Sequence, residues 1–381
     1  MRKPQSQSPI TEIFWFFLRL GLTGFGGPAA HIALMEREAV ERRRWLTREQ
    51  FLDLVGACNL LPGPSSTQVA MALGFRRYRW IGLLTAGVCF ILPASLATLA
   101  LAWAYVRYGH MPQAAGILYG AKPVMLAIIV QAIWRLGRMA LKGWALGVLG
   151  IACLAAALAG VPPIVILLAS GALVLVLQWL QSRTRKVRSF VPLPIAATGT
   201  AAGLASSAGL FSIALTFLKL GVVVFGSGYV LLAFLKADLV DRLHWITNQQ
   251  LLDAITAGQI TPGPVFATAT FIGYLLRGWA GAAVATVAIF LPSFFMAGFV
   301  GALAERIRKS RLAAAFLDGV NAAAVALMAE ITLVLGKSTL IDGWTWTLVV
   351  VSAVILIRFR VNATWLILSG AVLGILLRGL H

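Results

Sequence analysis

The chain has 381 residues, 60% of them apolar and only 12% charged, with a mean hydropathy of +0.87. That balance belongs to a chain that crosses a membrane many times and excludes an ordinary soluble globular protein. Lys and Arg outnumber Asp and Glu by 32 to 13; the excess lies in short loops between apolar runs, which fits basic cytoplasmic loops or steering of an anion and argues against nucleic acid as a partner.

In chain order, Arg2 and Lys3 followed by Phe14-Trp15-Phe16-Phe17 have the outline of a secretion signal. Arg19 interrupts the apolar run, and the same pattern returns at 216–228, so the segment reads as a first membrane helix from Ile10 to Phe25. An amphipathic stretch follows from Pro28 to Arg44. Next come two short apolar arms, Glu49–Leu61 and Pro64–Phe75, split by Pro62-Gly63-Pro64. Each proline removes an amide donor and clashes with the preceding turn, so one helix stops at Leu61 and another starts at Pro64. Continuous apolar spans follow at Trp80–Tyr105, Gln113–Met139, Trp144–Gly160 and Pro162–Leu180. A basic, then Ala/Gly-rich linker occupies 183–205.

The second half, 206–381, repeats the first, 1–182. At a shift of 200 residues, Arg19 meets Lys219, Phe25-Gly26 meets Phe225-Gly226, and Trp45, Thr47, Gln50 and Asp53 meet Trp245, Thr247, Gln250 and Asp253. Pro62-Gly63-Pro64 meets Pro262-Gly263-Pro264. After a one-residue deletion, Gly74, Trp80, Gly82, Pro93 and Gly120 meet Gly273, Trp279, Gly281, Pro292 and Gly319. Spans are expected near Leu210–Phe225, Trp279–Leu303, Leu312–Leu335, Trp344–Ile357 and Ala363–Leu377. The fold class is therefore all-α, a polytopic membrane protein built by duplication.

Each arm of the broken pair is about a dozen residues, or ~18 Å at 1.5 Å per residue, which reaches the middle of a ~30 Å hydrocarbon core. The pair therefore reads as a re-entrant hairpin. Five crossings per half, about ten in all, make the halves inverted. The basic loops support this: Arg37, Arg42, Arg43, Arg44, Arg48, Arg76, Arg77, Arg79, Arg135, Arg138 and Lys142 fall on one side of the first half, against Arg107 on the other. In the second half the bias reverses: Lys236, Arg242, Arg277 and Lys337 face Arg306, Arg308, Lys309, Arg311, Arg358 and Arg360. The first hairpin then opens to the cytoplasm and the second to the outside, with the N-terminus external.

Broken helices at matching positions of two halves mark a transporter's binding site. A helix N-terminus offers unpaired N–H groups and partial positive charge, a site for an anion. After Pro62, Gly63 and Pro64, the second arm of the first hairpin adds Ser65, Ser66, Thr67 and Gln68; its twin offers Thr261, Pro262, Gly263, Pro264 and Thr268. A second candidate is Phe25-Gly26-Gly27-Pro28 with His31, whose twin is Phe225-Gly226-Ser227-Gly228-Tyr229. The competing reading is that these glycines and prolines serve packing alone. Arg19 and Lys219 either neutralise a dianion or snorkel and pair elsewhere. Asp53 and Asp253, on the first arms, either carry a coupled proton or form ion pairs. Glu36, Lys122, Asp318 and Glu330 are further ionisable residues, read as structural. Cys58, Cys89 and Cys153 lie in apolar runs and the four histidines are scattered, so no metal and no cofactor is expected.

The run Leu20-Gly21-Leu22-Thr23-Gly24-Phe25-Gly26-Gly27-Pro28-Ala29-Ala30-His31-Ile32 with Pro62-Gly63-Pro64 resembles the chromate ion transporter family. Phe225-Gly226-Ser227-Gly228-Tyr229 with Pro262-Gly263-Pro264 is similar to the C-terminal repeat of its two-domain members. The resemblance covers nearly the whole chain. It implies an inner-membrane efflux carrier for chromate, with sulfate as the related oxyanion, and not an enzyme. The residues by themselves imply a duplicated transporter with an anion site. A passive anion channel is the alternative, and a membrane reductase finds no cysteine, haem or dinucleotide motif. Membrane lipid is the other partner; a homodimer is left open.

Overall fold

A computed structural model describes residues 8–59, 61–109, 111–183, 208–224, 228, 230–308, 311–359, 361 and 363–379. Residues 184–205 of the expected linker lie outside these. The first half folds as α1 (Pro9–Thr23), α2 (Gly27–Glu36), a turn of π-helix (Arg37–Arg42), α3 (Arg48–Asn59), α4 (Ser65–Tyr108), α5 (Pro112–Ala140), α6 (Trp144–Leu158) and α7 (Pro163–Arg183). The second repeats it as α8 (Leu210–Val223), α9 (Val230–Leu235), a π-turn (Lys236–Arg242), α10 (Asn248–Ile260), a 3-10 turn (Val265–Ala267), α11 (Thr268–Arg308), α12 (Arg311–Thr339), α13 (Gly343–Phe359) and α14 (Ala363–Gly379). There is no strand among the described residues. Five helical segments are long and apolar enough to cross a membrane: 65–108, 115–140, 163–180, 265–300 and 314–339.

The residues that match between halves have local jobs. Thr47 and Gln50 form a reciprocal cap at the start of α3: the Gln50 amide donates to Thr47 Oγ1, and the Thr47 amide to Gln50 Oε1. Thr247 and Gln250 do the same for α10. Each pair satisfies two amides that a bare helix end would leave open. Gly63 (φ +111°) and Gly263 (φ +95°) turn the chain in the left-handed region between their prolines.

The hairpins are real and short. The 12 residues of α3 rise about 18 Å. The second arm starts at Ser65 and breaks from the long span at Tyr78 and Arg79 (φ +49°); α11 breaks likewise at Arg277 and Gly278 (φ +58°). The corner closes tightly, since a Cβ on Gly74 would lie 2.2 Å from the Gly82 carbonyl oxygen, and one on Gly273 would lie 2.3 Å from that of Gly281. The expected arms and following spans are thus each one helical run with a single sharp corner.

Two helix groups result, each drawn from both halves. In one, α4 packs on α11, with α1 against α4 and α8 against α11. In the other, α5 and α12 pack together, and the partners cross over: α13 and α14 lie on α5, while α6 and α7 lie on α12. Close backbone approach seals both crossings. A Cβ on Gly319 would meet the Ser170 carbonyl at 2.4 Å, and one on Gly120 would overlap the Gly370 carbonyl. The halves are not equivalent, however. Leu251 through Gln259 of α10 is buried, against α5, α12 and α14 as well as α4 and α11. Its twin α3 packs on α11 and α4 and leaves Leu52, Asp53, Gly56 and Asn59 exposed.

Candidate functional site

The two hairpin tips are each fastened to the opposite half. The Gly63 amide donates to the Val224 carbonyl at 2.6 Å, and the Gly263 amide to the Gly24 carbonyl at 2.9 Å. Those carbonyls end α1 and α8, where Gly24-Phe25-Gly26-Gly27 and its twin break the first helix of each half. The two sequence candidates therefore form one reciprocal assembly: each tip meets the other half's break. Phe225, Gly226, Ser227 and Tyr229 lie outside the described residues; Gly228 abuts Val265.

At the first tip the chain is polar and enclosed. Ser65, Ser66, Thr67 and Gln68 are all buried, Thr67 and Gln68 completely. Pro64 precedes α4 and supplies no side-chain cap. The first intrahelical bond runs from the Gln68 amide to the Pro64 carbonyl, so the amides of Ser65, Ser66 and Thr67 have no partner among the described residues. Gln68 Nε2 donates to the Pro62 carbonyl, which leaves Gln68 Oε1 unpartnered, as are Thr67 Oγ1 and Ser293 Oγ. Ser293 comes from α11, next to Pro292, and closes over Gly63: a Cβ there would sit 2.7 Å from Ser293 Oγ and 2.8 Å from Gln68 Nε2. Buried polar atoms without partners are costly. Several of them gather around this one helix N-terminus.

His31, on α2, joins the break to the tip. Its Nε2 donates to the Gly24 carbonyl at 2.8 Å, which leaves Nδ1 as the acceptor, 3.5 Å from Ser66 Oγ. Phe90 holds the ring edge-on at 5.2 Å. Gly26 (φ +104°) and Gly27 (φ +75°) start α2, with Pro28 in its first turn. Phe25 is half-buried beside them.

The second tip is different. Val265, Phe266 and Ala267 replace the hydroxyls, and Ala94 stands where Ser293 stands at the first tip, 2.7 Å from a Cβ on Gly263. Two of its hydroxyls are satisfied: Thr268 Oγ1 donates to the Val265 carbonyl, and Thr261 meets Thr98 of α4 at 3.1 Å; Gln259 Nε2 on α10 and Ser95 Oγ beside Ala94 are buried without partners. Two turns along, Tyr105 of α4 donates to Asp253 at 2.9 Å, and Lys122 of α5 pairs with Asp253 at 2.7 Å, both members of the pair buried. The second hairpin is thereby tethered to the first half by a polar ladder. The twin positions of Thr98, Tyr105 and Lys122 carry Ala297, Ala304 and Asn321.

The remaining ionisable residues fall elsewhere. Arg19 is exposed on the outer face of α1. Lys219 is engaged by Asp238 at 2.7 Å, and Asp238 also accepts from Arg242 at 3.2 Å. Neither cation is brought to a tip, so the expected neutralising pair is corrected: a cation in an all-apolar helix reads the same from sequence whichever way it faces. Lys236 spans Asp241 and Glu330. Sequence reasoning missed Ser293, Thr98 and Tyr105, which serve the opposite half, and read Lys122 as structural without its partner. No group of metal-binding side chains occurs among the described residues.

A duplicated, all-helical chain with long apolar spans and interlocked, proline-broken hairpins is an integral membrane protein of the transporter class. More particularly, it belongs to the chromate transporter family, whose sequence model matches it twice, over residues 11–175 and 211–375. A chromate transport protein of Cupriavidus metallidurans is 34% identical over 96% of this chain and 92% of its own length. A probable chromate transport protein of Synechococcus elongatus is 33% identical over 87% of this chain and 86% of its own. A chromate transport protein of Pseudomonas aeruginosa is 34% identical over 86% and 81%. No solved structure matches the chain.

Proposed function

We propose that this protein carries chromate out across the plasma membrane by alternating access, with the oxyanion held at the first hairpin tip. One observation carries the reading: the open amides of Ser65, Ser66 and Thr67 lie at one buried helix N-terminus with three unpartnered buried polar atoms, Thr67 Oγ1, Gln68 Oε1 and Ser293 Oγ. A tetrahedral oxyanion accepts from amides and hydroxyls alike. The relatives named as chromate transport proteins supply the choice of anion, and sulfate, of the same shape and charge, is its natural competitor. Exposed Arg42, Arg48, Arg76, Arg77 and Arg79 ring the mouth of this hairpin and draw anions to it from the cytoplasmic side.

The opposed charge bias of the halves supports inverted repeats, 1–182 and 206–381, with five crossings each. Buried α10 and uncovered α3 are then one end of a rocking motion between the two helix groups. A dianion leaving a cell that is negative inside gains ~4.6 kcal/mol at 100 mV. Asp253 and Asp53, on the arms, are the carboxylates where a coupled proton would add to that drive.

The test is labelled chromate uptake into inverted vesicles and cofactor-free proteoliposomes, with sulfate as competitor. Accumulation above the equilibrium set by the applied gradients' absence supports a driven carrier. Flux that only dissipates the chromate gradient supports a channel, and no flux overturns the reading.

A further inference from the structure

The first tip holds an uneven set of groups for a doubly charged guest. Its described polar groups are amides, hydroxyls and Gln68, all neutral. Arg19 faces outward and Lys219 is held by Asp238. A dianion enclosed there is short of positive charge, and burying an uncompensated charge is expensive. One group at the tip can supply the missing charge, and it is already oriented to do so. His31 is fully buried, its Nε2–H is fixed on the Gly24 carbonyl, and its Nδ1 lone pair points to Ser66, with a contact too long to be a strong bond.

We infer that His31 Nδ1 is the seat of a proton that travels with the oxyanion, so that the transported unit is one dianionic tetrahedral oxyanion plus one proton and carries one net charge. The inference rests on the reading that the first tip is the oxyanion site. Protonated Nδ1 becomes a second donor on the ring, which Ser66 or an oxyanion oxygen accepts, while Nε2–H keeps its place on Gly24. The proton comes from the side on which the anion enters and leaves with it; no other bond changes.

The neighbours leave His31 this role. The elements packed on α2 are α3, α4 and the π-turn. Cys58 and Cys89 are the buried titratable groups on α3 and α4, and each is a thiol set in apolar packing. Asp53 is exposed on α3, and Glu36 and Arg37 stand at the far end of α2 from the tip. None of these is in hydrogen-bond or ion-pair contact with the imidazole among the described residues. At the twin position the chain has Leu231, so the device exists once.

The experiment measures the potential at which net chromate flux stops in proteoliposomes holding a tenfold chromate gradient at equal pH. One net charge balances that gradient at about 59 mV, and two at about 30 mV. The expected value is about 59 mV, moving with an imposed pH step. A value near 30 mV that ignores pH overturns the inference while leaving chromate transport intact; absence of flux overturns the transport reading instead. His31→Gln preserves one donor and one acceptor but cannot bind the proton. It should either stop flux at about 30 mV or transport at least tenfold more slowly with an unchanged melting curve. Normal flux still balanced at about 59 mV in that variant removes His31 as the seat. His31→Asn replaces it if the glutamine variant does not reconstitute, with the same outcomes.

Discussion

The Gly63 amide donates to the Val224 carbonyl, so the first hairpin is tied at its tip to the half of the chain that begins more than a hundred residues later. Reciprocity makes the tie informative. Gly263 is bound in the same way to Gly24, and a change at either tip is felt in both halves.

Gly63→Ala should therefore be severe. It places a side chain at φ +111° and drives a methyl to 2.7 Å from Ser293 Oγ. The backbone strain alone is worth about 1–3 kcal/mol. Adding Ser293→Ala removes the hydroxyl but not the strain, so the double variant should recover part of the lost melting temperature and none of the lost transport. Full additivity of the two changes in a melting experiment would argue against the contact.

The Lys122–Asp253 pair should behave as a unit. Lys122→Met or Asp253→Asn leaves one buried partner uncompensated, at a cost of about 3–5 kcal/mol. The double variant removes both charges and should melt close to the parent, because Tyr105 can still donate to an asparagine. Equal destabilisation by the double variant in thermal unfolding would show that the pair is not the main tether of α10.

Arg79 sits at φ +49° where its twin is Gly278. Arg79→Gly should raise stability by about 1 kcal/mol, after loss of the guanidinium contact 5.9 Å over Phe75. Gly278→Arg should lower it by a similar amount. Unfolding midpoints in detergent read both, and a fall on Arg79→Gly would mean the arginine's side-chain contacts outweigh the backbone.

Asp342 caps α13: its carboxylate accepts from the Thr345 amide at 2.8 Å, and Tyr119 of α5 donates to its other oxygen. The Tyr119 bond, then the Thr345 amide, hold its carboxyl below the usual carboxylate range. A group with a depressed folded value contributes fully above its unfolded value of ~3.9 and loses the contribution as pH falls through the folded one. Asp342→Ala should cost about 1 kcal/mol, the value of a lost cap. The gap between variant and parent melting points should be flat from pH 8 to pH 5 and narrow only at strongly acid pH. A gap that grows toward acid would refute the assignment.

The repeat and the hairpins were legible, because they depend on local chemistry and on identities at a fixed shift: prolines around a glycine, and Trp45, Thr47, Gln50 and Asp53 recurring 200 residues on. What could not be read was which groups meet across halves. An alternation of apolar helices fixes where segments are, but a helix apolar all round has no face to read. Hence Arg19 reads equally as a partner of the anion or as an outward-facing cation, and lies outward, and Ser293 carries no sign of its place beside the first tip. The inequality of the tips lay in plain sight as Ser65-Ser66-Thr67 against Val265-Phe266-Ala267. Its weight came only with Ala94 standing opposite one tip and Ser293 opposite the other.

The crossing of α7 onto α12 and of α14 onto α5 has a bearing on how such a protein is made. Neither half encloses its own interior, so the ribosome delivers the first half with its last helix lacking a mate until α12 emerges. A nick in the 184–205 connection of the finished protein should leave two fragments that stay together through detergent extraction. A lone half would have to find another copy of itself and exchange terminal helices with it before it could bury the same surfaces.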